Sequence, residues 1–237
     1  MDLDKAVLIV GATKGLGRTL AIHFNQVGYF TYTVGLGPLN DLSTGRGRHF
    51  DIDIGDPAAL KSCVASIQHA LDGVIFCQRY RGDSPMQGEL TTSVVATHQF
   101  IEALKPRLVN KYCSILLVGS VLSDFVSLEM DVSYHVCKAA IAQMAKYYSV
   151  ALADKAAVNC LQLGTFIKPE TECYFADDMD FFKDLSPQNM VMHTRDLACV
   201  FEFFVEQKPR FISGQTITID GGITNQWIEA YAKARLK

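Results

Sequence analysis

The chain has 237 residues, 49% of them hydrophobic and 20% charged, and its 22 basic and 25 acidic side chains leave a net charge of −3. That apolar content excludes a disordered chain, which would lack the surface to offset its ordering entropy. The small negative charge, with no basic block, gives a nucleic-acid partner no electrostatic footprint, and no apolar run reaches the roughly 20 residues needed to span a bilayer.

The predicted elements begin with a buried strand over Ala6-Val7-Leu8-Ile9-Val10, stopped by Gly11. Leu16, Leu20, Ile22, Phe24 and Val27 recur near helical spacing and make Leu16–Val27 a helix. Phe30–Gly35, rich in aromatic and β-branched residues, is a second strand, and His49–Ile54 a shorter third. Pro57 starts a helix running to about Leu71, with Asp56 placed to cap it. Val74–Cys77 is a fourth strand, Thr91–Leu108 a long helix broken near Pro106, and Cys113–Val118 a fifth strand. Ser133–Ala153 is a long helix, Ala157–Leu163 a sixth strand, Asp196–Gln207 a helix and Gln215–Ile219 the last strand. Strands that are apolar throughout are covered on both faces. Their alternation with helices predicts an α/β fold, a Rossmann-type doubly wound parallel sheet of about seven strands. The longest irregular stretch, Thr165–His193, reads as a lid inserted in a single domain spanning 1–237.

The first strand runs into Gly11-Ala12-Thr13-Lys14-Gly15-Leu16-Gly17. Gly11 permits a tight turn, Gly15 lets backbone N–H groups approach a pyrophosphate, and Gly17 lets the helix pack close to the sheet. The helix then presents its positive dipole end and free N–H groups to phosphate. The spacing GxxxGxG differs from GxGxxG, and no Gly-Lys-Ser/Thr follows, so the turn is not a P-loop.

Here the sequence resembles the short-chain dehydrogenase/reductase family, and other segments extend the resemblance in order along nearly the whole chain. Asp53-Ile54-Gly55-Asp56 stands where the family sets an aspartate against adenine. Ser120 ends the fifth strand, and Tyr134-His135-Val136-Cys137-Lys138 matches the YxxxK motif. Asn159 and Gly164 match the pattern around the sixth strand, and Ser213-Gly214-Gln215-Thr216-Ile217-Thr218-Ile219-Asp220-Gly221-Gly222 the C-terminal signature. The resemblance implies a nicotinamide site built from Gly11, Thr13, Lys14, Gly15, Leu16, Gly17, Asp53, Ile54, Cys77, Tyr134, Lys138 and Gly164. It also implies a small carbonyl or alcohol substrate and a homodimer or homotetramer using the two long helices, with the tail around Trp227 a further candidate surface.

Tyr134 and Lys138 are four apart near a helix start and share a face. A phenol ordinarily keeps its proton at neutral pH, and a neighbouring ammonium favours the phenolate. That pairing suits a general acid/base that protonates a carbonyl oxygen as hydride arrives, or takes the proton in reverse. The resemblance adds that Lys138 bonds the nicotinamide ribose and that Ser120 holds the substrate oxygen where charge develops. The expected spacing between this tyrosine and lysine is that of carbonyl reductases; enoyl-reducing relatives space the two more widely.

There are departures. Phe76, Cys77, Gln78 and Arg79 align with the family's Asn-Asn-Ala-Gly run, so Arg79 replaces a glycine that gives the cofactor room. Ser93 aligns with a helix-borne asparagine, Leu163 with the proline before Gly164, and Ser120 lies one residue farther from Tyr134 than usual. These changes keep a second reading open, a catalytically degenerate member acting as a nucleotide sensor or scaffold subunit. Arg79 and Arg81 are either substrate-facing cations or loop surface charges.

The end of the second strand, Val34-Gly35-Leu36-Gly37, offers no acid for a ribose 2′-OH, while Lys14 is placed to bind a 2′-phosphate. The expectation is NADP(H) over NAD(H). The seven cysteines are odd in number and form no CxxC pair. With an N-terminus lacking the order of a signal peptide, they read as reduced core residues of a cytoplasmic protein. His135, His23, His69 and His98 read as structural. Asp177, Asp178, Asp180 and Asp184 read as a solvated lid face, and Tyr174, Phe175, Phe181 and Phe182 as a substrate wall or lid anchors.

Overall fold

The computed structural model describes residues 5–39, 46–108, 111–175 and 179–227, without the side chains of 173–175. Asp177 and Asp178, and the side chains of Tyr174 and Phe175, therefore lie outside the described residues. The chain runs through β1 (Ala6–Val10), α1 (Gly15–Gln26), β2 (Phe30–Gly35), β3 (Gly47–Asp51), α2 (Pro57–Ala65), β4 (Gly73–Phe76) and α3 (Pro85–Glu89). A π-helical turn over Leu90–Val95 leads into α4 (Ala96–Leu104). Then follow β5 (Cys113–Ser120), α5 (Val132–Ala151), β6 (Ala156–Leu163), β7 (Phe166–Ile167), α6 (Met179–Leu185), β8 (Met192–His193), α7 (Thr194–Gln207) and β9 (Thr216–Ile219).

Seven strands form one parallel sheet in the order β3-β2-β1-β4-β5-β6-β9. This is the doubly wound order, and the chain changes direction across the sheet between β1 and β4, where such folds leave a crevice. The register sets Val10 beside Phe76, Phe76 beside Leu117 and Ser120 beside Leu163. The ends of the central strands thus open together on one edge.

Alternation along β1 divides the core into two layers. Ala6, Leu8 and Val10 join one cluster with Phe100, Ile101 and Leu104 of α4 and Ile141, Ala145 and Tyr148 of α5. Val7 and Ile9 join the other with Leu16, Leu20 and Phe24 of α1 and Leu197, Phe201 and Phe204 of α7. Complete burial of Leu20 and Phe24 stabilises by about 1.5–3 kcal/mol each. That outweighs the roughly 1 kcal/mol that each glycine in the first turn of α1 costs a helix.

Several bounds differ from expectation. α2 keeps its Asp56 cap, whose carboxylate accepts the Ala58 N–H at 2.8 Å, but stops at Ala65. The Ser66 hydroxyl bonds back to Ser62 O, and the Gln68 N–H donates to the Tyr32 hydroxyl of β2 at 3.1 Å, so the next turn is taken by the sheet. The helix expected from Thr91 begins at Pro85, which sits at the first helical position with no N–H to satisfy. Residues 165–193 are only partly irregular: β7 and β8 pair in parallel, with a 3-10 helix at Pro169–Phe175 and α6 between them. Those elements are too short for periodicity to reveal.

Asp72 is buried at the amino edge, opposite the crevice. It accepts the Ala6 N–H at 3.0 Å and the ammoniums of Lys111 at 2.9 Å and Lys208 at 2.5 Å. Burial opposes its charge, but Lys208, Lys111 and the Ala6 N–H outweigh it and hold the carboxyl below its usual range. The resulting stability is present above the unfolded value near 4 and is lost as pH falls through the lower folded value. Asp72→Asn removes the carboxylate charge that both ammoniums meet and is expected to cost about 2–3 kcal/mol, read as a Tm lower by roughly 5–10 °C at pH 7. The gap to wild type should close as acid protonates Asp72.

Candidate active site

The turn after β1 is set by steric exclusion. Gly11 has φ +82°, and a Cβ there would lie 2.5 Å from the backbone N of Gln78. A Cβ on Gly17 would lie 2.2 Å from the Gly11 carbonyl oxygen, so only glycine lets α1 start this close to β1. Lys14 is the exposed, extended N-cap residue, and no acid occupies the first turn of α1. Thr13 lies against Gly35 at the end of β2, and Leu16 is buried beneath the turn. The Gly15 N–H already holds an anion, donating to Glu170 Oε1 at 2.8 Å. The turn thus fits an anionic group on the geometry it shows.

Beyond β3, Asp53 is exposed and its carboxylate accepts the Gly55 N–H at 2.8 Å, while Ile54 is buried. Sequence reasoning found no acid at the end of β2, yet β3 brings one there. Asp51 is the register partner of Gly35 and accepts the Gly37 N–H at 2.8 Å. Its place in a neighbouring strand, 16 residues on from Gly35, hid it from a reading along the chain.

α5 is capped by Asp131, whose carboxylate accepts the Ser133 N–H at 2.9 Å. This places Tyr134 and Lys138 on consecutive turns of one face. Lys138 is 5% exposed, its ammonium donates to Val118 O of β5 at 2.7 Å, and it lies 5.5 Å from the Tyr134 ring centroid. Ser120 ends β5 and caps a 3-10 turn, Val121–Ser123, that packs against α5 and absorbs the extra residue before Tyr134. The Ser120 hydroxyl accepts the Leu122 N–H at 3.2 Å, and no described residue accepts its proton. No described residue hydrogen-bonds the Tyr134 hydroxyl either. Cys77 follows β4, where burial pushes its thiol up to about 12, so it is a neutral thiol at pH 7.

Asn159 and Gly164 serve the sheet. Asn159 donates to Ile212 O at 2.6 Å and accepts the Gln215 N–H at 3.0 Å, aligning the segment before β9. A Cβ on Gly164 would lie 2.7 Å from the Asp220 side chain. His135 ties the loop before α5 by accepting the Ser127 N–H at 3.1 Å. His23, His69 and His98 are each hydrogen-bonded to a neighbour, and no metal-binding cluster occurs among the described residues.

Four features escaped the sequence reading. The Arg79 guanidinium lies over the Tyr134 ring, 4.5 Å from its centroid, and its Nε donates to buried Glu89 at 3.3 Å. The Ser93 hydroxyl donates to the same carboxylate at 2.8 Å, so the residue aligned with the family's asparagine anchors this pair. Beside them a cavity of about 310 Å³ is lined by Arg79, Tyr80, Arg81, Glu89, Ser133 and Tyr134. Lys168 and Glu170 reach the Gly15 turn from the segment after β7. The only signal was opposite charges bracketing Pro169 soon after the sixth strand.

Residues 11–224 match the family model described as enoyl-(acyl carrier protein) reductase. The chain is 24% identical over 245 residues to a glucose 1-dehydrogenase of Gluconobacter oxydans, covering 93% of this chain and 92% of that protein. It is 24% identical over 242 residues to a 3-oxoacyl-acyl-carrier-protein reductase of Buchnera aphidicola, covering 92% and 97%. The solved structure of ElxO with NADP bound superimposes with a TM-score of 0.82 at 19% identity, covering 94% of this chain and all of that one (100%).

Gly17→Ala forces the α1 backbone away from Gly11. It is expected to lower stability by about 1–3 kcal/mol and to weaken binding of a nicotinamide dinucleotide at least about tenfold, because the displaced N–H groups no longer converge. Thermal unfolding and fluorescence titrations with NADH and NADPH measure both; unchanged affinity for either would remove the turn from the binding site.

Proposed function

The chain belongs to the short-chain dehydrogenase/reductase family, and from that premise we propose an NADP(H)-dependent oxidoreductase that interconverts a carbonyl and a secondary alcohol. The observation that carries this reading is the buried Lys138 ammonium beside the Tyr134 ring, with the open Ser120 hydroxyl at the end of the neighbouring strand. The Gly11–Gly17 turn fits the pyrophosphate, and Asp53 and Ile54 stand toward the adenine end. When bound, the nicotinamide supplies or accepts the hydride. Tyr134 donates its hydroxyl proton to the carbonyl oxygen, and takes it back in the alcohol direction. Ser120 gives that oxygen its free O–H, having already accepted the Leu122 N–H, so its orientation is preset before charge develops. Lys138, held by Val118 O at 2.7 Å, keeps two further N–H donors for the ribose and sets a positive charge beside the phenol.

The four-residue spacing of Tyr134 and Lys138 supports carbonyl over enoyl chemistry, whatever the description of the matched family model. Lys14 supports NADP(H) over NAD(H), since it is exposed at the turn and the Asp51 carboxylate is already held by Gly37. Residues 165–193 act as a lid over one domain spanning the chain. The exposed stripe Val132, Val136, Tyr147 and Val150 along α5 supports a homodimer or homotetramer through that helix. Among the described residues, five buried or half-buried free cysteines suit a reducing compartment, the cytoplasm.

A second reading, a nucleotide-binding subunit without turnover, is favoured by the bulk of Arg79 where the family keeps a glycine. Tyr134→Phe separates the two. It is expected to lower kcat by at least about a hundredfold while NADPH affinity stays within about twofold. A wild type that binds NADPH but turns over nothing in a broad carbonyl and alcohol panel is the second reading's result. The cofactor preference is checked by the same titration: NADPH should bind more tightly than NADH, and Lys14→Ala should narrow that gap. Equal affinities in the wild type refute the preference.

A further inference from the structure

Glu170 takes a backbone N–H at the amino end of α1, the end of a helix that favours phosphate. Its Oε1 accepts the Gly15 N–H at 2.8 Å, at the amino end of α1. That N–H carries one proton and serves one anion at a time. Burial works against the Glu170 charge, but the Gly15 N–H and the Arg18 and Lys168 charges outweigh it and hold the carboxyl below its usual range. Glu170 is therefore ionised at neutral pH, an anion seated on the turn.

Two residues earlier, Lys168 lays its stem against the same glycine, its Cδ 3.2 Å from where a Gly15 Cβ would be. Its ammonium meets no carboxylate within ion-pair distance among the described residues. Desolvation and the neighbouring Arg81, Arg79 and Lys138 charges push it below the ordinary lysine range, and Glu170 alone among the named neighbours acts the other way. A part-buried ammonium among three like charges lacks a counter-anion, and one carboxylate does not supply enough. Pro169 lies between them and stiffens their spacing, while Ile167 anchors the preceding strand in the core.

Resting on the dinucleotide reading of the turn, we propose that Lys168 and Glu170 form a charge-exchange pair for the pyrophosphate. Glu170 yields the Gly15 N–H when the dinucleotide enters, and Lys168 becomes a pyrophosphate ligand. Glu170 is thus a built-in competitor that weakens cofactor binding. Lys168 is a binding residue of the same site. The exchange is specific to ligands that carry a pyrophosphate, because Glu170 competes for the Gly15 N–H, whereas the 2′-phosphate is assigned to the Lys14 side chain.

The test titrates the full-length protein with NADPH and with 2′-AMP, which has no pyrophosphate. Glu170→Gln removes the charge and keeps the shape, so it is expected to tighten NADPH about tenfold and leave 2′-AMP unchanged. Lys168→Met is expected to weaken NADPH about tenfold, with Lys168→Arg retaining most of the affinity. Thermal unfolding of each variant confirms that it is folded. Unchanged or weaker NADPH binding by folded Glu170→Gln overturns the exchange, as does an equal gain for 2′-AMP. That failure leaves carbonyl turnover intact, whereas a wild type that binds no dinucleotide overturns the oxidoreductase reading instead.

Discussion

The distance between α1 and β1 decides what the carboxyl edge of the sheet can hold. With 2.2 Å between a would-be Cβ on Gly17 and the Gly11 carbonyl oxygen, no side chain is tolerated at the contact. The helix axis therefore starts directly over the end of β1, and its first free N–H groups converge at the crevice between β1 and β4. Removing side chains from a helix's first turn costs helix stability. Leu20, Ala21 and Phe24, all fully buried one and two turns later, more than offset it. Packing far from the turn thus sustains a backbone shape that local propensity disfavours.

The same edge gathers charge in a way the net value of −3 conceals. Lys14, Lys138, Lys168, Arg79 and Arg81 all belong to it, while Asp72 with its two lysines lies at the far edge. Among the described residues, Glu89 pairs directly with Arg79 and Glu170 acts on Lys168 from beyond ion-pair distance. Glu89 is buried and bonded by Ser93 and Arg79, so moving it would strand a carboxylate away from water. Glu170 is less enclosed and bonds a backbone N–H that a stronger anion can take. One carboxylate is therefore part of the frame and the other is exchangeable.

The β-strands and long helices were legible because their patterns repeat within the segment. β1, β2 and β6 are continuous apolar runs, and α5 is long enough for its period to show. The Tyr134–Lys138 pair was legible because both members lie on one helix. What stayed hidden depends on elements far apart in sequence. Asp51 reaches the end of β2 from a neighbouring strand, Glu170 crosses 155 residues to Gly15, and Glu89 meets Arg79 across a loop. The early end of α2 was hidden for the same reason, since Tyr32 of β2 takes the N–H that would have continued toward Leu71.

Arg79 is the residue on which catalysis and mere binding divide, and its contact geometry favours catalysis. A guanidinium 4.5 Å from the Tyr134 ring centroid engages the π face, an attraction of about 0.5–2 kcal/mol. That face is not the hydroxyl, which no described residue bonds. Nε is committed to Glu89, which fixes the guanidinium and keeps it from swinging toward the phenol oxygen. Arg79 also lines the cavity that Tyr134 shares, so the bulk added in place of a glycine narrows the approach from that side. In the proposed reaction, a substituent there narrows the range of substrates that fit and leaves the Tyr134 proton in place. On that proposal, the arginine in place of a glycine changes selectivity before it removes turnover.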